Sequence, residues 1–190
     1  MNVFLIFIAA ALINNYVLTQ FLGMCPFFGV SKKTEAAIGM GLSVLFVMTI
    51  ASAVTFVFHK YILVPCDIEY LQTAAFILII ASIVQFLELF MKKVFPPIYA
   101  MLGIYLPMIT TNCLIFGVAL INIDKNFSFP QAIVNSIGAG IGFLLAIVLL
   151  SAIREKYDNH PDVIWIFQGF PLAMFSAGLM SIAFLGFQGF

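Results

Sequence analysis

Cysteines 25 and 113 lie in two copies of one short pattern, Cys, two residues, then Phe-Gly-Val: GMCPFFGV at 23–30 and TTNCLIFGV at 110–118. A thiol in an apolar chain has three uses. It packs as a small buried hydrophobe. Two of them form a disulfide when their Cα atoms come within about 4.4–6.8 Å. As thiolates they bind soft metals: zinc, copper(I) or an iron–sulfur cluster. Coordination also solves the electrostatic problem, because the metal compensates the charge of the deprotonated sulfur. An iron–sulfur cluster normally takes four cysteine ligands. Cys25 and Cys113 offer two, so a cluster here requires a second chain. The third cysteine, Cys66 in VPCDIE, stands outside the pattern beside Asp67 and Glu69 and is read as a non-ligand.

The elements that must position these thiols follow from composition. Of 190 residues, 64% are hydrophobic and only 8% charged, with a mean hydropathy of +1.16. Soluble domains carry about 25% charged residues, so the outer surface of this chain is expected to face lipid. The net charge of +0 gives no sign of a nucleic-acid partner. The start, MNVFLIF, lacks the basic segment of a cleavable signal and reads as a first membrane helix. Six apolar stretches are each long enough to span, at about 20 residues: 3–24, 38–58, 73–90, 99–121, 132–153 and 164–185. The fold expected is an all-α integral membrane protein, one membrane domain over 1–190, with six transmembrane helices.

Basic residues orient it. Lys32, Lys33, Lys92, Lys93, Arg154 and Lys156 fall in the odd-numbered loops; only Lys60 and Lys125 fall in the even ones. That bias places the odd loops in the cytoplasm and both termini outside. The chain also reads as a duplication, with repeat 1 at about 1–93 and repeat 2 at about 94–190. Aligning Cys25 on Cys113 superposes Phe28-Gly29-Val30 on Phe116-Gly117-Val118. IGMGLSVLFVMTIASA (38–53) aligns with IGAGIGFLLAIVLLSA (137–152), a longer fourth loop taking up the shift. Helices three and six align poorly. With three helices per repeat, the second copy crosses the membrane inverted, a plan that places functional sites near the midplane at the repeat interface.

The first helix of each repeat is expected to break near its cysteine. Gly23 and Pro26 flank Cys25; Pro107 and Thr110-Thr111-Asn112 precede Cys113. Broken helices at membrane depth are tolerated where protein buries them. Asn14 and Asn15 belong on a protein-facing side for the same reason. Glu88 lies within a span, yet it stands four residues before Lys92 and reads as an interfacial ion pair. Gln85 shares its helix. His59 and His160, in loops without partners at ligand spacing, read as surface residues; Tyr105 and the phenylalanines read as packing or lipid-facing.

Two function classes fit this plan: a redox subunit that carries electrons, and a secondary transporter with inverted repeats. A structural scaffold is a weaker third. The thiols discriminate. A transporter needs substrate-contacting polar groups on both copies, and the polar residues here are lopsided, Asn14 and Asn15 against Thr110, Thr111 and Asn112.

NNYVLTQFLGMCPFFGVSKK (14–33), GMGLSVLFVMTIAS (39–52), LGIYLPMITTNCLIFGVALIN (102–122) and AGLMSIAFLGF (177–187) closely resemble the A-type subunits of the Rnf electron-transport complex. The resemblance runs through essentially the whole chain. The E-type subunits of the sodium-pumping NADH:quinone oxidoreductase (Nqr) share the plan, but INNYVL and CPF are more similar to Rnf. The resemblance implies that Cys25 and Cys113 are ligands of an intramembrane 2Fe–2S cluster. It implies two further ligands from a homologous, oppositely inserted RnfE-like subunit. It also implies association with the B, C, D and G components of the Rnf complex. It implies a place in a translocase of the bacterial or archaeal cytoplasmic (inner) membrane that couples ferredoxin:NAD+ oxidoreduction to Na+ or H+ export.

Overall fold

The computed structural model describes residues 3–63, 71–94, 106–158 and 169–186, and no strand occurs among them. Expectations for Cys66, Tyr105 and His160 fall outside the described residues, as do the side chains of Glu88, Lys92 and Pro107.

The long apolar runs fold as helices because only intra-segment hydrogen bonding satisfies the backbone without water. In chain order these are α1 (Val3–Ile8), α2 (Tyr16–Gln20), α3 (Met24–Val30), α4 (Thr34–Phe58), α5 (Gln72–Val94), α6 (Leu106–Thr110), α7 (Cys113–Asp124), α8 (Phe129–Asp158) and α9 (Phe170–Leu185). Two are long and apolar enough to cross a membrane, by length and composition: 34–63, which is α4 with its π-helical extension His59–Leu63, and 129–157 within α8. Shorter apolar helices cover 4–13, 72–87, 108–124 and 170–185. Each of the six expected stretches overlaps one of these, although α4 and α8 begin before the apolar runs.

Large apolar side chains face outward, and several polar ones are buried within the apolar core. Phe4, Tyr61, Leu78, Phe86 and Ile182 are exposed, whereas Asn15, Asn112, Asn122, Asn135 and Arg154 are buried. Such an arrangement is unstable in water and suits a lipid surround, where buried polar groups must find partners within the protein. They do so around Asn122. Its amide nitrogen donates to Ser52 Oγ at 2.9 Å and Ser136 Oγ at 3.2 Å, and its oxygen accepts from Asn135 Nδ2 at 2.7 Å. Tyr16 Oη donates to Asn135 Oδ1 at 3.3 Å. This network joins α2, α4, α7 and α8. Asn122 and Asn135 were not singled out from sequence, although an amide inside an apolar run is itself a signal.

The centre of the fold is the crossing of α4 and α8, made by glycine. A Cβ on Gly140 would lie 3.1 Å from Leu45 Cα, and one on Gly41 would lie 3.3 Å from Leu144 Cα. The contact is reciprocal: in the alignment of 38–53 on 137–152, Gly41 corresponds to Gly140 and Leu45 to Leu144. Small residues let the two backbones approach. The other face of α8 takes the N-terminal segment: a Cβ on Gly138 would lie 3.0 Å from Phe7 O, and one on Gly142 3.0 Å from Ala11 O.

That N-terminal segment is interrupted twice. After α1 the chain widens into a π-helical turn, Ala9–Ile13, and stops at Asn14-Asn15. Asn15 restarts it. Its side-chain oxygen accepts from Val17 N at 3.1 Å, an N-cap, while its Nδ2 donates to Gly142 O at 2.9 Å. The second interruption follows α2, where Phe21 adopts φ 56 and Gly23 φ 79. The freed carbonyl of Leu18 accepts from Ser181 Oγ of α9 at 2.5 Å. Pro26, expected to help break the helix, does not. It occupies the third position of α3, where the backbone N–H has no intrahelical acceptor in any case.

Candidate metal centre

Cys25 is the second residue of α3. The preceding Gly23 is fixed by two constraints: its φ of +79 lies in the left-handed region, and a Cβ there would sit 3.2 Å from Leu114 Cβ and 3.3 Å from Asn112 Oδ1. With no side chain, Gly23 brings its backbone against the start of α7, and its N–H donates to Cys113 Sγ at 2.9 Å. The residue two before Cys25 therefore lies against Cys113. The glycines of the two Cys-x-x-Phe-Gly-Val segments pack in parallel fashion: Gly29 lies under Met108, and Gly117 lies under Leu22.

Cys113 is the first residue of α7. Between α6 and α7 the helix is broken at Thr111-Asn112, the break expected from sequence. Asn112 is extended (φ −70, ψ 111), and its Oδ1 accepts from Leu114 N at 3.0 Å. Asn15 and Asn112 thus restart helices by the same device. Asn112 Nδ2 is buried and has no partner, alone in this among the described residues. An unsatisfied buried donor costs about 1–3 kcal/mol.

Asn112→Ala is expected to lower stability by about 1 kcal/mol relative to Asn112→Ser, which keeps a capping oxygen. Thermal unfolding in detergent measures the difference. Equal stability of the two variants would mean that the cap does not hold the start of α7.

Both cysteines are free, Cys25 exposed and Cys113 half-buried, so they are not joined by a disulfide. Among the described residues, no three His, Cys, Asp or Glu gather to hold a metal ion. Cys25 opens on a pocket of about 620 Å³ between α3, the end of α8 and the start of α9, lined also by Met24, Phe28, Lys32, Arg154 and Phe170. Arg154, taken from sequence as a loop cation, is only 6% exposed. Its Nη1 donates to Phe28 O at 3.0 Å and to Ser31 Oγ at 2.8 Å, closing the last turn of α3. Asn15 is buried as expected, Gln85 is exposed on α5, and His59 is half-buried at the end of α4, its ring 6.4 Å from that of Phe76.

Comparison with known proteins agrees with this architecture. The family described as Rnf-Nqr subunit, membrane protein, matches residues 3–190. The chain is 53% identical over 189 residues to the A subunit of the Na(+)-translocating ferredoxin:NAD(+) oxidoreductase complex from Acetobacterium woodii, covering 100% of this chain and 98% of that protein. It is 50% identical over 186 residues to the A subunit of the ion-translocating oxidoreductase complex from Psychromonas ingrahamii, covering 98% and 96%. The Vibrio cholerae protein of the same name is 51% identical over 185 residues, covering 97% and 95%. With the match extending over nearly every residue, both thiol-bearing breaks included, this chain belongs to the Rnf-Nqr family of membrane proteins.

Proposed function

We propose that this chain is the A-type membrane subunit of an ion-translocating ferredoxin:NAD+ oxidoreductase complex, and that Cys25 and Cys113 would supply two of the four ligands of a 2Fe–2S cluster. A homologous RnfE-like subunit of opposite topology supplies the other two ligands. The observation that carries this is the hydrogen bond from Gly23 N–H to Cys113 Sγ. It ties the start of one cysteine helix to the sulfur that begins the other, between residues 90 apart in the chain.

The residues present fit such a group. Two soft thiols stand at the starts of broken helices, one of them already accepting a backbone N–H. An orphaned amide nitrogen, Asn112 Nδ2, lies next to Cys113. The exposure of Cys25 leaves one ligand open to a partner chain. When bound, the group would supply a one-electron carrier that divides a hydrocarbon core of about 30 Å into shorter steps. The chain's own part is to bind and insulate. Gly23 donates its N–H to Cys113 Sγ, Asn112 fixes the first turn of α7, and Phe27, Leu114 and Phe143 are fully buried in the surrounding core. Isolated chain is expected to hold no cluster, while the purified complex shows iron, acid-labile sulfide and an EPR signal in proportion. A full complement of iron and sulfide on the monomer would sink the two-chain site.

The finer architecture belongs to the same proposal: six spans, arranged as inverted repeats over about 1–93 and 94–190. The reciprocal packing of Gly41 on Leu144 and Gly140 on Leu45 supports it, since a two-fold axis makes each contact of one repeat recur with the roles exchanged. By the basic-residue bias the termini lie outside the cytoplasmic membrane, and the B, C, D and G components complete an assembly that exports Na+ or H+. A reporter fused after Phe190 should read outside, and a tag at 31–35 should read cytoplasm. A cytoplasmic C-terminus would overturn the inverted arrangement.

A further inference from the structure

Asn112 and Asn15 stand at two helix restarts and use the carboxamide oxygen alike: Oδ1 of each accepts the N–H two residues on, at 3.0 and 3.1 Å. They differ at the nitrogen. Asn15 Nδ2 donates to Gly142 O at 2.9 Å, whereas Asn112 Nδ2 has no acceptor among the described residues, although Asn112 is only 3% exposed. Turning the amide over does not cure this. The nitrogen would then face the Leu114 N–H, donor against donor, and the cap would be lost. A buried donor without an acceptor is rare in a finished fold and marks a partner supplied by a bound group or a trapped water. A buried water makes about three hydrogen bonds to groups that otherwise lack them. Asn112 Nδ2 is the one such side-chain atom among the described residues, which disfavours water. Beside it lies the candidate centre. Cys113 is the next residue, and both residues close on Gly23: its N–H donates to Cys113 Sγ at 2.9 Å, and a Cβ on it would stand 3.3 Å from Asn112 Oδ1.

We propose that Asn112 Nδ2 donates a hydrogen bond to Cys113 Sγ when that sulfur ligates the bound group, and that this bond raises the reduction potential of the group. This rests on the reading of the thiols as cluster ligands. The timing follows from acceptor strength. A thiol sulfur is a weak acceptor, whereas hydrogen bonds to a charged acceptor are about twice as strong as neutral ones. Only as a metal-bound thiolate does Sγ draw in a second N–H beside that of Gly23. The donor is enclosed, so its acceptor must come from the protein's own shell. The sulfur of the adjacent residue meets that condition. Hydrogen bonds to sulfur are among the levers that set an iron–sulfur potential. Reduction adds one electron and with it negative charge on the sulfurs, so an N–H donor there favours the reduced form. Asn112 acts through Cys113 and is a positioning residue.

The test uses the purified complex, carrying a heavy-isotope label on the asparagine side-chain nitrogen. Pulsed EPR of the dithionite-reduced cluster is read beside an EPR-monitored redox titration. Wild type should show hyperfine coupling from the labelled nitrogen, and Asn112→Ser should lose it. Serine keeps a capping oxygen, so the start of α7 is retained. The reduced-to-oxidised ratio at a fixed poise should nevertheless fall about tenfold, about 59 mV for one electron. Asn112→Ala, which lacks the cap as well, should fall by the same factor. Asn112→Asp keeps the shape and the cap but sets an oxygen in place of the nitrogen, and should fall at least as far.

A wild-type spectrum without the coupling, or a wild-type ratio in Asn112→Ser, overturns the proposal and leaves the orphaned nitrogen to a trapped water. A fall confined to Asn112→Ala also overturns it, because the effect would then come from the lost cap. Should Asn112→Ser fail to assemble, Asn112→Asp is read in its place, and a wild-type ratio there decides against the proposal. A wild-type complex with no iron–sulfur signal sinks the cluster reading and this proposal together. A signal present in wild type, lost in Cys113→Ser and free of asparagine coupling sinks this one alone.

Discussion

Cys25→Ser and Cys113→Ser are each expected to abolish the intramembrane iron–sulfur signal and to stop electron transfer through the assembled complex. Loss of one ligand leaves an iron atom under-coordinated in an apolar site, and a serine hydroxyl is a poor replacement for a soft thiolate. At Cys113 the change also replaces the sulfur that accepts the Gly23 N–H by a smaller hydroxyl oxygen on a shorter bond, which alters the contact between the two thiol-bearing helix starts. The two single variants and the double variant should be alike, since ligands of one centre act as a unit and their losses do not add. Cys66→Ser should change neither signal nor turnover. Iron and sulfide content, EPR and turnover of the purified complex give the comparison. A cluster that survives in either single variant means the chain does not hold it through that thiol.

Bulk at the glycines of α8 is expected to produce the next largest loss, through packing alone. Gly140→Val and Gly142→Val should sharply reduce the yield of intact complex and its thermal midpoint. At Gly140 the new side chain meets Leu45 Cα at about the Cβ distance of 3.1 Å, and at Gly142 it meets Ala11 O at 3.0 Å. Backbone atoms on a neighbouring helix cannot rotate away, so the helices must separate. Overpacking in a close-packed interior costs about 1–3 kcal/mol and sometimes more. At Gly142 there is a further cost, because its carbonyl accepts from Asn15 Nδ2, the residue that restarts the chain towards Cys25. Gly39→Ala and Gly178→Ala serve as controls. Nothing lies within 4 Å of a Cβ at either position, and alanine there should be neutral or gain up to about 1 kcal/mol of helix propensity. Normal assembly of Gly140→Val and Gly142→Val would mean that the close crossing is not needed for the fold.

Much of the architecture was legible in the residues because it depends on local quantities. Apolar runs of spanning length force helices. Asn15 within such a run had to face protein, and it is buried and bonded at both ends of its amide. The repeated cysteine pattern marked both helix starts, since Gly23 and Asn112 carry their own backbone consequences. Pro26 shows the limit of this kind of inference: proline breaks a helix interior but is neutral in a first turn, and its position relative to Gly23 settles which applies.

Other features depend on partners far along the chain, and only the tertiary structure decided them. Arg154 counted among the loop cations by sequence, yet the fold brings the last turn of α3 over it and buries it. Gly140 reads as one small residue among many until Leu45 is found against it, and its pairing with the reciprocal Gly41–Leu144 contact emerges only when α4 and α8 cross. Asn122 and Asn135 become a network only when four helices converge. The two cysteines stand out in the sequence as a pair, but the contact of Cys113 with the start of the other cysteine helix depends on a glycine N–H and a sulfur that are distant in the chain and adjacent in space. Hydropathy and helix starts are properties of a few consecutive residues, whereas a hydrogen bond between segments exists only after both breaks, both helix directions and the approach of the backbones have been fixed together.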